Sequence, residues 1–288
     1  MLDIPHQRTC ACSENHISCA DAKDWIKGQI GVWQFNYEQR DMRDKNVHPA
    51  TFPIALPKRW IGLLTHRGEL VLDPFVGSGS TLVAARDLGR NAVGFDLSQA
   101  YVDVATDRLR QIPLVAEGGI QTAVAADARD IPRYLQPDTV DLIVTSPPYA
   151  NLLNRKRKNK SRRGDERGNG QFLKVEQYSQ NPSDLGLLPI DAYQVEMKAI
   201  FRGLLPLLKP GAHCIVNVPD MWWENHRITI HIAVIKALTE AGYEFRNTVI
   251  WDRTNIVNRV GIFGWPNNYI TMGTTFEYLL DFIKPLAS

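Results

Sequence analysis

At 288 residues, with 44% hydrophobic and 22% charged residues, the chain has room for one large α/β domain or two small ones and is too apolar for global disorder. Four cysteines are too few for a disulfide scaffold and point to a reducing compartment, the cytoplasm. The most apolar stretch, 228–237, is broken by His231 and Lys236, and Met1–Arg8 carries no basic head before an apolar block, so neither a membrane span nor a secretory leader is expected. The net charge of +2 conceals an asymmetry: residues 155–167 carry +6 and the remainder −4, which suggests a polyanion meeting one face.

Residues 1–47 show no clear periodicity. They hold His6, Cys10, Cys12, His16 and Cys19, then the aromatic stretch Trp33, Phe35, Tyr37. Cys-x-Cys-x6-Cys is not a usual zinc-finger spacing, so the expectation is a loosely ordered N-terminal extension with no metal. From residue 48 to 288 a single domain is expected. Leu70–Asp73 reads as a buried strand, Thr81–Leu88 as a helix closed by Gly89, and Ala92–Asp96 as the next strand. Tyr101–Arg110 carries Val102, Ala105 and Leu109 on one helical face; Val124–Asp127 and Val140–Thr145 read as strands. Later come a helix over Ala192–Leu208 stopped by Lys209-Pro210-Gly211, a strand Cys214–Val218, a helix Ile228–Ala241, and strands Phe245–Trp251 and Glu277–Ile283. Strands alternating with helices imply a doubly wound, mainly parallel α/β sheet with ligands at the carboxyl ends of its strands. The long irregular stretches 150–190 and 252–275 are candidate binding loops.

The segment Asp73-Pro74-Phe75-Val76-Gly77-Ser78-Gly79-Ser80-Thr81 follows a strand and opens a helix, where free N–H groups and glycine backbone let a ligand approach. A dinucleotide fingerprint needs a third glycine where Leu82 stands, and a P-loop needs a lysine that is missing. Asp96, 23 residues after Asp73, is placed to accept two ribose hydroxyls, and Asp127 at the next strand end to accept an adenine amino group. An adenosine without phosphate fits these three acids best. Thr145-Ser146-Pro147-Pro148-Tyr149 ends another strand; its prolines offer acceptors rather than donors, so Ser146 Oγ and the Pro147 carbonyl suit the two hydrogens of an amino group, with Tyr149 as an aromatic face.

Asp73-Pro-Phe-x-Gly-Ser-Gly-Ser, Gly94-Phe-Asp-Leu-Ser98-x-x-Tyr101 and Ser146-Pro-Pro-Tyr149 resemble the motifs of S-adenosylmethionine-dependent DNA amino-methyltransferases, as do His48-Pro49-Ala50-x-Phe52-Pro53 and the closing Glu277–Pro285. The likeness spans about residues 46–288. It implies a seven-stranded, Rossmann-like class I methyltransferase sheet with long inserted loops, S-adenosyl-L-methionine as cofactor, and DNA as partner. It assigns His48, Pro49 and Phe52 to the methionine part of the cofactor. Asp73, Phe75, Gly77, Ser78, Gly79, Ser80 and Thr81 fall in the cofactor loop, Asp96 with Leu97 and Asp127 with Ala128 around the adenosine, and Ser146, Pro147, Pro148 and Tyr149 in catalysis. Serine at the first catalytic position leans towards cytosine N4; adenine N6, an RNA base and a catalytically silent nucleic-acid binder are the alternatives. A C5-cytosine route would need a nucleophilic cysteine after proline, which no cysteine here provides. In the best-known members with this wording the Ser-Pro-Pro-Tyr half comes first; here the glycine half leads, so recognition residues do not carry over.

Arg155, Lys156, Arg157, Lys158, Lys160, Arg162 and Arg163 directly follow the catalytic turn, where a phosphodiester backbone must pass. Arg253, Asn255, Asn267 and Asn268 in the later loop are candidate DNA contacts, and Asp220-Met-Trp222-Trp223 is expected to border the site. Oligomeric state is left open, a homodimer included.

Overall fold

A computed structural model describes residues 1–13, 15–43, 52–110, 118–150, 181, 183–223, 226–256, 264–265, 268–269 and 273–286. The elements in chain order are α1 (Ala22–Gly28), β1 (Val32–Gln34), α2 (Gln39–Arg43), α3 (Ala55–Leu64), β2 (Leu70–Asp73), α4 (Ser80–Asp87), β3 (Asn91–Asp96), α5 (Gln99–Arg110), β4 (Gln121–Ala125) and β5 (Val140–Thr145). There follow α6 (Ile190–Leu204), β6 (Leu208–Val218), β7 (Met221–Trp223), β8 (His226–Ile228), α7 (Ile230–Ala241), β9 (Glu244–Asp252), β10 (Gly264–Trp265), β11 (Asn268–Tyr269) and β12 (Phe276–Ile283).

Eight strands form one sheet in the order β1-β9-β12-β6-β5-β2-β3-β4. All run parallel except β12, which lies antiparallel between β9 and β6. From β2 the chain winds outward through β3 and β4, then returns to β5 and β6 on the other side. The strand order therefore reverses between β2 and β5, and the crevice beyond their carboxyl ends is where such a sheet takes a ligand. This is a doubly wound, mainly parallel, Rossmann-like sheet, with β1 added at one edge.

The strands are apolar because helices cover both faces. Along β2, Leu70 and Leu72 enter one core cluster, with Phe95, Ile143, Phe201, Leu204 and Val234, while Val71 enters the other, with Val144, Trp60 and Trp251. That alternation is the strand period of two; each such aliphatic stabilises the fold by roughly 1.5–3 kcal/mol relative to exposure. Among the described residues, no helix is long and apolar enough to cross a membrane.

Three elements differ from expectation. β1 belongs to the segment expected as an extension, yet it pairs with β9 and buries Trp33 against Trp60 at 4.7 Å between ring centroids. β4 spans Gln121–Ala125 rather than Val124–Asp127, and Asp127 instead caps a short 3-10 turn, Ala128–Arg133. Lys209-Pro210-Gly211 does not stop a helix: α6 ends at Leu204, and these residues lie inside β6, where the register against β5 jumps from Val140↔Leu208 to Leu142↔His213. This register shift between β5 and β6 accommodates the proline, whose missing N–H would break a regular ladder.

Candidate active site

The turn after β2 is built from glycine geometry. Gly77 and Gly79 have φ of 47° and 85°, and a Cβ on Gly79 would lie 2.8 Å from Ala105 Cβ. The turn rests on β3 because Gly94 has no side chain; a Cβ there would meet Val76 Cγ2 at 2.4 Å. Gly77 N–H then donates to Asp96 Oδ2 at 3.1 Å, and Ser98 N–H to Asp96 Oδ1 at 2.9 Å. Burial pushes the Asp96 carboxyl up to about 6, and those two N–H groups pull against it. Each oxygen keeps acceptor capacity, which suits a pair of vicinal hydroxyls.

Asp73 does something other than line the cleft. It is 1% exposed, and its oxygens accept from Thr81 Oγ1 and Thr145 Oγ1, both at 2.6 Å, and from Phe75 N–H at 3.1 Å. Burial lifts its carboxyl to about 6. Asp73, Gly79 and Thr81, expected to touch the cofactor, are not among the lining residues; they hold the turn in shape. Phe52 does line the cleft, and its carbonyl accepts from Ser80 Oγ at 3.1 Å. His48 and Pro49 lie outside the described residues.

Asp127 lines the cleft but is not a free acceptor at a strand tip. Arg129 donates to it from its backbone N–H at 2.9 Å and from Nη1 at 2.8 Å, and reaches Glu196 at 2.6 Å. The strand ends two residues earlier than the sequence indicated, which turns Asp127 into a cap.

At the end of β5, Ser146 Oγ lies 2.8 Å from Tyr149 Oη and 3.3 Å from the Asn217 carbonyl. One assignment of protons satisfies all three groups. The carbonyl can only accept, so the Ser146 proton points to it and Tyr149 donates to Ser146 Oγ; Asn217 Nδ2 approaches the same oxygen at 3.4 Å, a long contact that a better-placed donor can replace. Behind it, Asn217 Nδ2 donates to Glu277 Oε2 at 2.8 Å, and Glu277 Oε1 pairs with Arg253 Nη1. Burial raises the Glu277 carboxyl above its ordinary range, with Arg253 opposing. Arg253, an expected DNA contact, holds this ion pair with its side chain 32% exposed and its guanidinium 4.9 Å from the Trp251 ring centroid. Asn255, given the same expectation, donates to the Phe35 carbonyl at 3.0 Å and to Asn36 Oδ1 at 2.9 Å. Asn217 and Glu277 were not predicted as site residues. The signal was a polar residue within the apolar strand Cys214–Val218.

These two turns face one cleft of about 860 Å³, counting space open to solvent. From the expected residues it gathers Phe52, Phe75, Gly77, Ser78, Ser80, Asp96, Leu97, Asp127, Ala128, Ser146, Pro147, Pro148 and Tyr149. It adds Tyr101, which the sequence marked only as part of a motif, and Arg129 and Asp184, which it did not flag. Asp184 Oδ1 accepts from Gly186 N–H at 2.7 Å, while buried Oδ2 has no hydrogen-bond partner among the described residues. An unpaired buried oxygen is costly unless a ligand N–H or O–H meets it. Asp220 lies outside the lining, held by His231 Nδ1 at 2.6 Å and Arg227 Nε at 3.3 Å. Arg155, Lys156, Arg157, Lys158, Lys160, Arg162, Arg163 and Asn267 lie outside the described residues; Asn268 sits in β11.

A sequence model of the DNA methylase family matches residues 8–107. A second model, for an RMKL-like methyltransferase domain, matches residues 64–162 and so takes in both turns of this cleft. Among curated relatives, the type II methyltransferase M.HpaI of Haemophilus parainfluenzae is 36% identical over 78 residues, 27% of this chain and 25% of that protein. M.ScaI of Streptomyces caespitosus is 38% identical over 87 residues, 29% of each chain. The chain thus aligns with only 25% and 29% of these relatives' lengths. Among solved structures, a SAM-dependent O-methyltransferase of Thermotoga maritima has a TM-score of 0.49 at 12% identity, over 87% of this chain and 72% of that one.

Proposed function

We propose that the chain transfers a methyl group from S-adenosyl-L-methionine to an exocyclic amino group in DNA, N4 of cytosine. The observation that carries this reading is the single cleft into which Asp96, at the tip of β3, and Ser146, at the tip of β5, both open. The cofactor's adenosyl half suits the Asp96 carboxylate, whose two oxygens each hold one backbone N–H, and Asp184 Oδ2 offers a further acceptor. Phe52, Phe75 and Leu97 supply apolar wall. When bound, this donor supplies an electrophilic methyl group on a sulfonium.

The residues of the β5 turn then do the work of positioning. An aromatic amine is a poor nucleophile because its lone pair is delocalised into the ring. Ser146 Oγ, fixed as an acceptor by Asn217 and Tyr149, and the Pro147 carbonyl take the two N–H groups, which favours localising the pair and aiming it into the cleft. A base within a duplex cannot reach this depth, so it must be extruded, with Tyr149 bordering it. Ser146 in the first position and the type II designation of the relatives support the cytosine N4 and site-specific DNA reading.

The deciding experiment incubates the purified chain with labelled cofactor and duplex DNA, digests the product to nucleosides and identifies the methylated base by mass spectrometry. N4-methyldeoxycytidine is expected. N6-methyldeoxyadenosine would overturn the base assignment, methylation of RNA alone the partner, and tight DNA binding without transfer the enzymatic reading.

A further inference from the structure

Four side chains that the cleft does not use converge at the opposite, amino-terminal end of β2. Cys10, Cys12, Cys19 and His66 place one donor atom each within 4.8 Å of all the others. Three of the separations are resolved individually: Cys10 Sγ to His66 Nδ1 at 3.3 Å, Cys19 Sγ to His66 Nδ1 at 3.5 Å, and Cys12 Sγ to Cys19 Sγ at 3.6 Å. A tetrahedral zinc with Zn–S of about 2.3 Å and Zn–N of about 2.05 Å requires edges of about 3.8 Å between sulfurs and about 3.5 Å between sulfur and nitrogen. The observed edges fall there. A disulfide needs its sulfurs at about 2.05 Å, and all four cysteines of the chain are free thiols.

The surroundings prepare the donors. His66 is fully buried, and its Nε2 lies 2.9 Å from the His16 carbonyl, which can only accept. The Nε2 atom therefore carries the proton, and Nδ1 presents its lone pair to the three sulfurs. That is the outer-shell arrangement that fixes the tautomer of a metal-bound histidine. Arg67 N–H approaches Cys19 Sγ at 3.4 Å. The sequence also folds the segment onto this spot for other reasons: Thr9 N–H donates to the Arg67 carbonyl at 2.8 Å, Arg8 pairs with Glu69 at 2.8 Å, and Gly68 at φ 82° leaves room for the Gln7 carbonyl, 2.4 Å from where a Cβ would stand.

We propose that Cys10, Cys12, Cys19 and His66 form a structural zinc site that staples the N-terminal segment to the turn entering β2. Three thiolates and one imidazole are a soft, closed set with no position left for substrate, which selects zinc over hard cations and gives it a structural role. His66 was invisible as a partner in the sequence because it lies in a different element from the cysteines, and it displaces His6 and His16 as the nitrogen donor. The proposal is independent of the cleft chemistry.

The test uses the full chain, purified under reducing conditions without a polyhistidine tag. Elemental analysis is expected to find one zinc per chain, and replacement by cobalt to give the visible bands of a tetrahedral site with a sulfur-to-metal charge-transfer band. Cys12→Ser and Cys19→Ser are expected to weaken retention on the order of 100-fold or more, since loss of an outer-shell partner alone costs 10–100-fold. His66→Cys should keep the metal and shift the cobalt spectrum towards an all-sulfur site, which keeps the proposal decidable if the serine variants fail to fold. A folded wild-type chain that stays metal-free when offered zinc, or that binds iron instead, would overturn it.

Discussion

Thr145 Oγ1 donates to Asp73 Oδ1 at 2.6 Å, tying the last residue of β5 to the last residue of β2 across the point where strand order reverses. Thr81 holds the other oxygen at the same distance from the first turn of α4. One buried carboxylate therefore fixes the mutual position of the glycine turn and the Ser-Pro-Pro-Tyr turn. Neither Asp73 nor Thr145 lines the cleft, yet both set its width.

Thr145→Val is expected to destabilise the chain by about 1–3 kcal/mol, the range for losing a hydrogen bond to a buried carboxylate whose Oδ1 then keeps only Phe75 N–H, while Thr145→Ser stays near wild type. The deficit should depend on pH with a definite sign. The folded Asp73 carboxyl titrates at about 6, above its unfolded value, so the folded state holds the extra proton and this group's contribution to stability falls as pH rises from about 4 through about 6. Loss of the Thr145 donor penalises the ionised form further. Denaturant titrations should thus show a larger deficit at pH 7 than at pH 5; equal deficits would contradict the bond to the carboxylate.

Asp96 gives a second pH dependence, this time in binding. As a carboxylate it can accept two hydroxyls; protonated, it loses part of that capacity. With its carboxyl lifted to about 6 by burial, affinity for an adenosyl ligand should strengthen as pH rises from 5 to 7 and level off above. Calorimetry across that range checks this, and Asp96→Asn should both weaken binding and flatten the curve. A wild-type affinity constant from pH 5 to 8 would remove Asp96 from the ribose.

Asn217 is the joint between Glu277 and the Ser-Pro-Pro-Tyr turn. Replacing it by Asp puts a second carboxylate where an N–H now meets Glu277 Oε2 at 2.8 Å, and two acids cannot share that contact without one of them protonating. Asn217→Asp is expected to lower kcat about 10–100-fold, the penalty for loosening a positioned group, with cofactor affinity changed far less. Single-turnover kinetics beside calorimetry separate the two, and a parallel loss of both would place Asn217 in cofactor binding instead.

The sheet was largely legible because buried parallel strands are short apolar runs, and 70–73, 91–96 and 140–145 are bounded by Gly, Asp or Pro. What the sequence hid was any contact between distant elements. The ion pair of Arg253 was hidden because nothing local shows that Glu277, on the antiparallel neighbour β12, will meet it. Asp127 looked like a strand tip because Val124–Ala126 is apolar, although Asp followed by Arg129 is also a cap. His66 gave no hint of its cysteines for the same reason: its partners lie in another segment, and Cys-x-Cys-x6-Cys is not a familiar spacing.

Two glycines give opposite predictions from the same substitution. Gly79 caps α4 at φ 85°, where an alanine is strained, and the new Cβ would sit 2.8 Å from Ala105 Cβ and 3.1 Å from Ala105 Cα, on a helix backbone that cannot retreat cheaply. Gly79→Ala is expected to cost roughly 1–3 kcal/mol and to weaken cofactor binding, because the turn that presents Gly77 N–H to Asp96 must shift. Gly62 lies inside α3, and a Cβ there meets nothing closer than Leu88 Cδ1 at 4.0 Å. Gly62→Ala should therefore stabilise by about 0.5–1 kcal/mol through helix propensity and reduced chain entropy. Urea unfolding of the two variants side by side reads both effects. A stabilised Gly79→Ala would mean that the turn does not adopt this left-handed geometry, and the placement of Asp96 against Gly77 would fall with it.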